Sequence, residues 1–101
     1  MELTTRERIY ELLRASPKAL TGREIARRVK TRERDVYEHI LHIALSSRRR
    51  GEVVVIFPAK CEECGFAFEP EKVRKPGRCP VCHSTKIDGP RFLVRESEWS
   101  P

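Results

Sequence analysis

The residues most capable of chemistry in this 101-residue chain are four cysteines, arranged as two Cys-x-x-Cys pairs. Fourteen residues separate the first pair from the second. Each Cys-x-x-Cys turn places two sulfur atoms on one side of a metal ion, so two turns together supply a tetrahedral set of four thiolates. The spacing therefore predicts a metal site with four ligands: Cys61, Cys64, Cys79 and Cys82.

Several interpretations of the four cysteines compete. Zinc in a closed structural site is our leading interpretation, and rubredoxin-like iron, which uses the same ligands, is the alternative. Two disulfides are disfavoured because the first residues lack the basic region and apolar run of a secretion signal. A redox dithiol is disfavoured because it usually needs one pair at a helix start. His83 follows the second pair where Gly65 follows the first, and we expect it to neighbour the site rather than ligate.

Charge is divided unevenly along the chain. The net charge is +6, and it belongs to residues 1–50, because residues 51–101 hold eight basic and eight acidic residues. A basic half favours a nucleic-acid partner, although a solvated helix face also carries such charge. The longest apolar run, Val53 to Phe57, is too short to span a bilayer. We therefore expect a protein without membrane contacts and, from its reduced cysteines, a cytoplasmic one.

Three helical patterns occupy the basic half. Two begin with capping boxes, in which a threonine and a glutamate three residues later satisfy each other's backbone N–H groups. These pairs are Thr4 with Glu7 and Thr21 with Glu24. The third pattern runs from about Arg32 to Ser46, with Leu41 on the edge of its apolar side. Three short helices, the last two separated by a few residues, outline a helix-turn-helix.

Two segments that favour strands bracket the cysteines, and the first of them is β-branched. Val53 to Phe57 and Pro90 to Arg95 both predict strands, which would pair antiparallel as a hairpin whose tip is replaced by the metal site. Within that tip, Phe66 and Phe68 alternate and predict a short strand. A basic cluster lies between the two cysteine pairs and consists of Lys72, Arg74, Lys75 and Arg78.

The segment Leu20 to Val29 resembles the second helix of winged helix-turn-helix regulators. The chain from about Thr4 to Arg95 resembles a family of small archaeal predicted transcriptional regulators, in which a rubredoxin-like zinc ribbon is set into the wing. The resemblance implies an α+β fold, a three-helix winged helix-turn-helix with a four-cysteine zinc ribbon inserted in the wing hairpin. Residues 1–58 and 90–101 would form the winged helix-turn-helix, and residues 59–89 the ribbon. The resemblance also implies that zinc binds the four cysteines and that the recognition helix runs from Arg32 to Ser46.

The leading function is then a transcriptional regulator that binds double-stranded DNA, with a homodimer as one arrangement that matches two half-sites. The candidate DNA contacts are Arg23, Arg27, Arg28, Arg32, Arg34, His39, Arg48, Arg49 and Arg50. The outer face of the third helix also carries Asp35 and Glu38, which phosphate would repel. The alternative is therefore a protein-interaction adaptor of the transcription machinery on the same scaffold. We expect no enzymatic activity, because a four-thiolate site leaves no position for water.

Overall fold

The computed structural model describes residues 3–69 and 73–97, and these form three helices and five short strands. The helices are α1 (Thr5–Ala15), α2 (Gly22–Val29) and α3 (Glu33–Ser47), and α3 continues into a 3-10 turn, Arg48–Arg50. The strands are β1 (Leu20–Thr21), β2 (Glu52–Phe57), β3 (Lys60–Cys61), β4 (Ile87–Asp88) and β5 (Arg91–Glu96). Lys72 and residues 98–101 of the predicted domains lie outside the described residues. Within the described ranges, no helix is long and apolar enough to cross a membrane.

Both predicted capping boxes are present. The Thr4 hydroxyl accepts the N–H of Glu7 at 3.1 Å, while the Glu7 carboxylate accepts the N–H of Thr4 at 3.1 Å. The same reciprocal pair joins Thr21 and Glu24, at 3.0 and 3.1 Å. Each box satisfies two N–H groups that a helix start would otherwise leave without partners, which fixes where α1 and α2 begin.

The two strands predicted to flank the cysteines do pair antiparallel. β5 lies between β1 and β2, and Val94 of β5 stands opposite Val54 of β2. Strand β1 was not predicted, and it adds Leu20 opposite Phe92 on the other side of β5. A second sheet of two strands, β3 and β4, lies in the cysteine region. The fold is therefore mixed α+β, with three helices, two small sheets and a cysteine ribbon.

The main core fills the space between the helices and the three-stranded sheet. Phe92 is its largest fully buried side chain, and its ring meets the ring of Tyr37 edge to face at 6.4 Å between centroids. The helices contribute Ile9, Leu13, Ile25, Val29, Val36, Ile40 and Ile43. These are the residues at helical spacing in the sequence, so the amphipathic patterns correctly located the buried faces.

The prediction that Leu41 widens the apolar side of α3 is wrong. The Leu41 residue is 51% exposed, and Leu45, one turn later, is 66% exposed. Both project about 120° or more away from Val36, at 100° per residue, so they point out of the core. The exposed face of α3 includes Arg34, Glu38, Leu41, His42 and Leu45.

Arg95 of β5 closes the carboxyl end of α1. Its guanidinium donates to the carbonyl of Ser16 at 2.7 Å and to that of Leu13 at 3.3 Å. A cation at this end also interacts favourably with the helix dipole. We expect Arg95→Met to lower the free energy of unfolding by about 1.5–3 kcal/mol, measured by urea denaturation, because hydrogen bonds from a charged donor are lost while the apolar stem is kept.

Arg91→Met is the matched control for this prediction. Arg91 lies on the same strand but pairs with Asp88 at 2.8 Å in a half-exposed site. Exposed ion pairs contribute about 0–1 kcal/mol. Equal losses in the two variants would contradict a capping role for Arg95.

Candidate metal centre

The four cysteine sulfurs converge on one point. The sulfur of Cys61 lies 3.5 Å from that of Cys82, and the sulfur of Cys64 lies 3.5 Å from that of Cys79. All four sulfurs lie within 4.8 Å of one another. A tetrahedral zinc ion with bonds of about 2.3 Å to sulfur requires sulfur separations of about 3.8 Å. The four cysteines therefore form a zinc-ribbon site whose dimensions fit a single metal ion.

The two Cys-x-x-Cys turns have the same backbone hydrogen bonds. The N–H of Gly65 donates to the carbonyl of Cys61 at 3.0 Å, and the N–H of His83 donates to that of Cys79 at 2.9 Å. Gly65 and His83 both adopt positive φ, at 79° and 61°. This shared geometry aims the two sulfurs of each turn at the metal position.

His83 occupies a position that favours glycine. A non-glycine residue at positive φ costs of order 1 kcal/mol. We therefore expect His83→Gly to bind zinc about two- to fivefold more tightly, measured by competition with a chromogenic chelator. His83→Ala keeps the strain and should bind zinc as the parent does. Weaker zinc binding in both variants would show that the imidazole is a ligand, contrary to our prediction.

The site cannot collect four thiolates without a cation. Burial opposes the charged form of Cys79, but the N–H groups of Cys82 and Val81 donate to its sulfur, and the net effect lowers the pKa of Cys79 to about 7. The N–H of Ser84 favours the Cys82 thiolate, yet burial and the other three sulfurs raise the pKa of Cys82 to about 12. Ionisation of one cysteine thus makes ionisation of the next one less favourable. A divalent metal ion removes this repulsion by pairing with all four sulfurs.

A small apolar core supports the metal ligands. Cys61 and Cys79 are buried in it together with Ala59 and Ile87, and Phe66 and Phe68 pack on its side. The predicted strand through Phe66 and Phe68 is reduced to one antiparallel bridge between Lys60 and Ala67. This core shares no residue with the main one among the described residues, so the ribbon has its own source of stability.

The ribbon is nevertheless fixed to the start of α3. Val73, from the loop between the two cysteine pairs, is buried in the main core. The Tyr37 hydroxyl donates to Glu33 at 2.8 Å and accepts the backbone N–H of Lys75. A side chain on Gly22 would stand 2.6 Å from the Tyr37 ring, so the α2 glycine is what allows the ring to lie there. Sequence reasoning missed the burial of Val73 in the main core, because Val73 is a lone apolar residue among charged ones.

The candidate DNA contacts separate into groups. Arg23, Arg27 and Arg28 are exposed along α2, and Arg32 and Arg34 lie at the start of α3. Arg32 is engaged, because its Nε lies 3.1 Å from the carboxylate of Asp35. Arg34 is exposed, and no carboxylate of a described residue lies within 4.0 Å of it.

The remaining candidates lie elsewhere. Arg48–Arg50 follow the end of α3, about 20 Å from its start at 1.5 Å per residue. Arg50 lies over the Tyr10 ring at 4.9 Å from the centroid. His39 faces α1, where Nε of Arg6 donates to its Nδ1 at 3.1 Å. Burial and the Arg6 charge lower the pKa of His39, which favours its uncharged form.

Comparisons with known proteins agree with the ribbon. Residues 4–55 match a family model described as PF0610-like, N-terminal, and residues 58–99 match the PF0610 rubredoxin-like zinc beta-ribbon domain. No curated protein matches the chain. The solution NMR structure of protein PF0610 from Pyrococcus furiosus is similar, with a TM-score of 0.76 and 34% sequence identity. The match covers 92% of this chain and 90% of that one. The chain therefore belongs to the PF0610-like family of zinc-ribbon proteins.

Proposed function

We propose that this protein is a DNA-binding transcriptional regulator, in which a zinc ribbon holds a basic loop beside the recognition helix. The observation that carries the proposal is a cationic cluster. It is assembled from the start of α2, the start of α3 and the ribbon loop, which all line clefts beside Glu33 and Tyr37. We name it the junction cluster, and it consists of Arg23, Arg34, Arg74 and Lys75.

The scaffold supports the proposal. Three helices followed by two six-residue strands, with β1 added to the sheet, have the element order expected of a winged helix-turn-helix. In that arrangement α3 is the recognition helix, and its first residues are the ones that reach base edges. Zinc in the ribbon would then act structurally, because a closed set of four thiolates leaves no position for a substrate or water.

Charge at the junction cluster also supports the proposal, because the neighbouring acids are already engaged. The Glu33 carboxylate accepts the Tyr37 hydroxyl, and the Asp35 carboxylate pairs with Arg32. Hydrogen bonding and ion pairing with Arg91 lower the pKa of Asp88, which keeps that carboxylate charged and compensated. The four cations of the junction cluster therefore outnumber Glu33 and the paired Asp88 beside them, and this excess of positive charge suits phosphate.

A salt titration with matched double variants tests this function. The variant Arg34→Gln/Arg74→Gln removes two charges from the junction cluster, while Arg48→Gln/Arg49→Gln removes two from the far end of α3. We expect the first to weaken binding to genomic duplex fragments by about tenfold or more and to reduce the slope of log K against log salt by about 2. The variant Arg48→Gln/Arg49→Gln should change the affinity and the slope much less. Equal effects, or a flat salt response in the parent protein, would contradict the proposal.

A second function is favoured by one observation. Leu41 and Leu45 lie one turn apart on the exposed face of α3, and Glu38 lies beside them. An apolar and acidic face is poorly matched to the major groove, but it suits a helix that docks into an apolar groove of a protein. The protein would then be an adaptor of the transcription machinery.

Leu41→Gln/Leu45→Gln separates the two functions. As an adaptor, the protein should bind purified RNA polymerase or a basal transcription factor, and this variant should lose that complex while duplex binding stays unchanged. Loss of duplex binding in the variant would instead place the middle of α3 in the major groove. Glu38→Gln is the control, because it removes charge and keeps both leucines.

A further inference from the structure

A cleft on the ribbon combines aromatic rings with cations. Its volume is about 610 Å³, and it lies between the segment that carries Phe66 and Phe68 and the loop that precedes Cys79. We name it the aromatic cleft, and its lining includes Phe66, Phe68, Arg74, Lys75, Arg78 and Pro76. None of these residues ligates the metal, so the metal site leaves the cleft without an assigned role.

The two rings form a rigid platform. Phe66 and Phe68 meet edge to face, with centroids 5.1 Å apart and planes at 87°. Both are half-buried, because they pack on the small core around Cys61. Backbone hydrogen bonds fix them as well, since the N–H of Cys61 donates to the carbonyl of Phe66 at 2.8 Å. Metal binding at Cys61 therefore holds the rings in place.

The cations around the rings have no ion-pair partner among the described residues. Arg74, Lys75 and Arg78 are exposed, and no carboxylate of a described residue lies within 4.0 Å of their charged groups. Glu69 is the acidic residue among the described residues that line the cleft. The cleft thus offers apolar ring surface within a positive field, which suits a ligand that is both flat and anionic.

We propose that the aromatic cleft binds unpaired nucleotides of single-stranded nucleic acid. Bases stack on the ring of Phe68 or Phe66, and Arg74 and Arg78 contact the phosphates. A duplex does not fit this role, because its base faces are already stacked on one another. Arg74 and Lys75 line both the aromatic cleft and the cleft beside α3, so the inference goes beyond the proposed function and adds opened strands to duplex as a ligand.

Fluorescence anisotropy of the zinc-loaded protein with oligo-dT and oligo-rU tests the inference. Phe68→Leu keeps an apolar side chain in the small core but removes the aromatic face. We expect this variant to weaken single-strand binding by about fivefold or more, since stacking on one ring contributes about 1–3 kcal/mol. Duplex affinity and zinc content should stay within about twofold of the parent. Phe57→Leu is the control, because Phe57 is 49% exposed on β2 and does not line the cleft.

The outcomes distinguish this inference from the proposed function. Single-strand binding that is lost in Phe68→Leu and kept in Phe57→Leu supports the inference, whether the protein prefers oligo-dT or oligo-rU. Equal binding by Phe68→Leu and the parent overturns it, as does duplex binding with no affinity for either oligonucleotide. A parent protein that binds single strands in a ring-dependent way but binds no duplex would overturn the proposed function and leave the inference standing.

Discussion

Cys79→Ser is expected to abolish metal binding, from about one ion per chain to less than about 0.1, measured by elemental analysis. The sulfur of Cys79 lies 3.5 Å from that of Cys64, and its residue is fully buried in the small core. A serine oxygen is a poor substitute for a thiolate on zinc. Without the metal the bonds that join the two Cys-x-x-Cys turns are lost, and the small core alone is too small to keep the ribbon folded, so the ribbon should unfold.

The helices should largely survive this loss. They have their own core, and the far-ultraviolet helical signal should therefore remain. The unfolding free energy of that core should fall by about 1.5–3 kcal/mol, because Val73 leaves it when the ribbon loop unfolds. Val81→Ala is the control, since Val81 lies between two ligands but is 61% exposed, and it should retain the metal. Helical signal lost together with the metal would contradict the two-core description.

Phe92→Ala should lower the unfolding free energy by about 3–5 kcal/mol, the usual range for deleting a buried aromatic ring. Phe92 is fully buried on the central strand β5, contacts the Tyr37 ring, and lies opposite both Leu20 and Ile56. Its removal would leave a cavity where the helices meet the sheet. Urea denaturation followed by circular dichroism at saturating zinc measures this change.

Leu93→Ala is the control for this prediction. Leu93 is the next residue on β5, and by strand alternation it faces away from the main core and is half-exposed. Its truncation should cost about 1 kcal/mol or less. Metal content should stay near the parent value in both variants, because the small core around the cysteines does not contain either residue. Equal losses of stability would contradict the position assigned to Phe92.

The two predictions together separate the roles of metal and core. Cys79→Ser should unfold the ribbon and keep the helices, whereas Phe92→Ala should destabilise the main core and keep the metal in the ribbon. Among the described residues, the connection between them includes Val73, the Tyr37 hydroxyl with the backbone of Lys75, and the ion pair of Asp88 with Arg91. Metal binding can thus hold a basic loop beside α3 without being required for the helices to form.

Features that depend on neighbouring residues could be predicted from the sequence. The metal site follows from cysteine spacing, since two short turns present sulfurs in the required geometry. The starts of α1 and α2 follow from capping boxes, because both partners lie within one helical turn. The pairing of the two flanking strands follows from their apolar and β-branched residues and from the site that joins them. Each of these signals is encoded within a short stretch of chain.

Features that depend on distant residues were decided only by the tertiary structure. Arg95 closes α1 from about eighty residues away, and Val73 enters the main core from the loop of the ribbon. The sequence placed Arg32 and Arg34 together among the candidate DNA contacts, and the tertiary structure pairs Arg32 with Asp35 and sets Arg34 beside the ribbon's cations. Helical spacing could not place Leu41, because a residue at the edge of an apolar face is buried only if another element packs there.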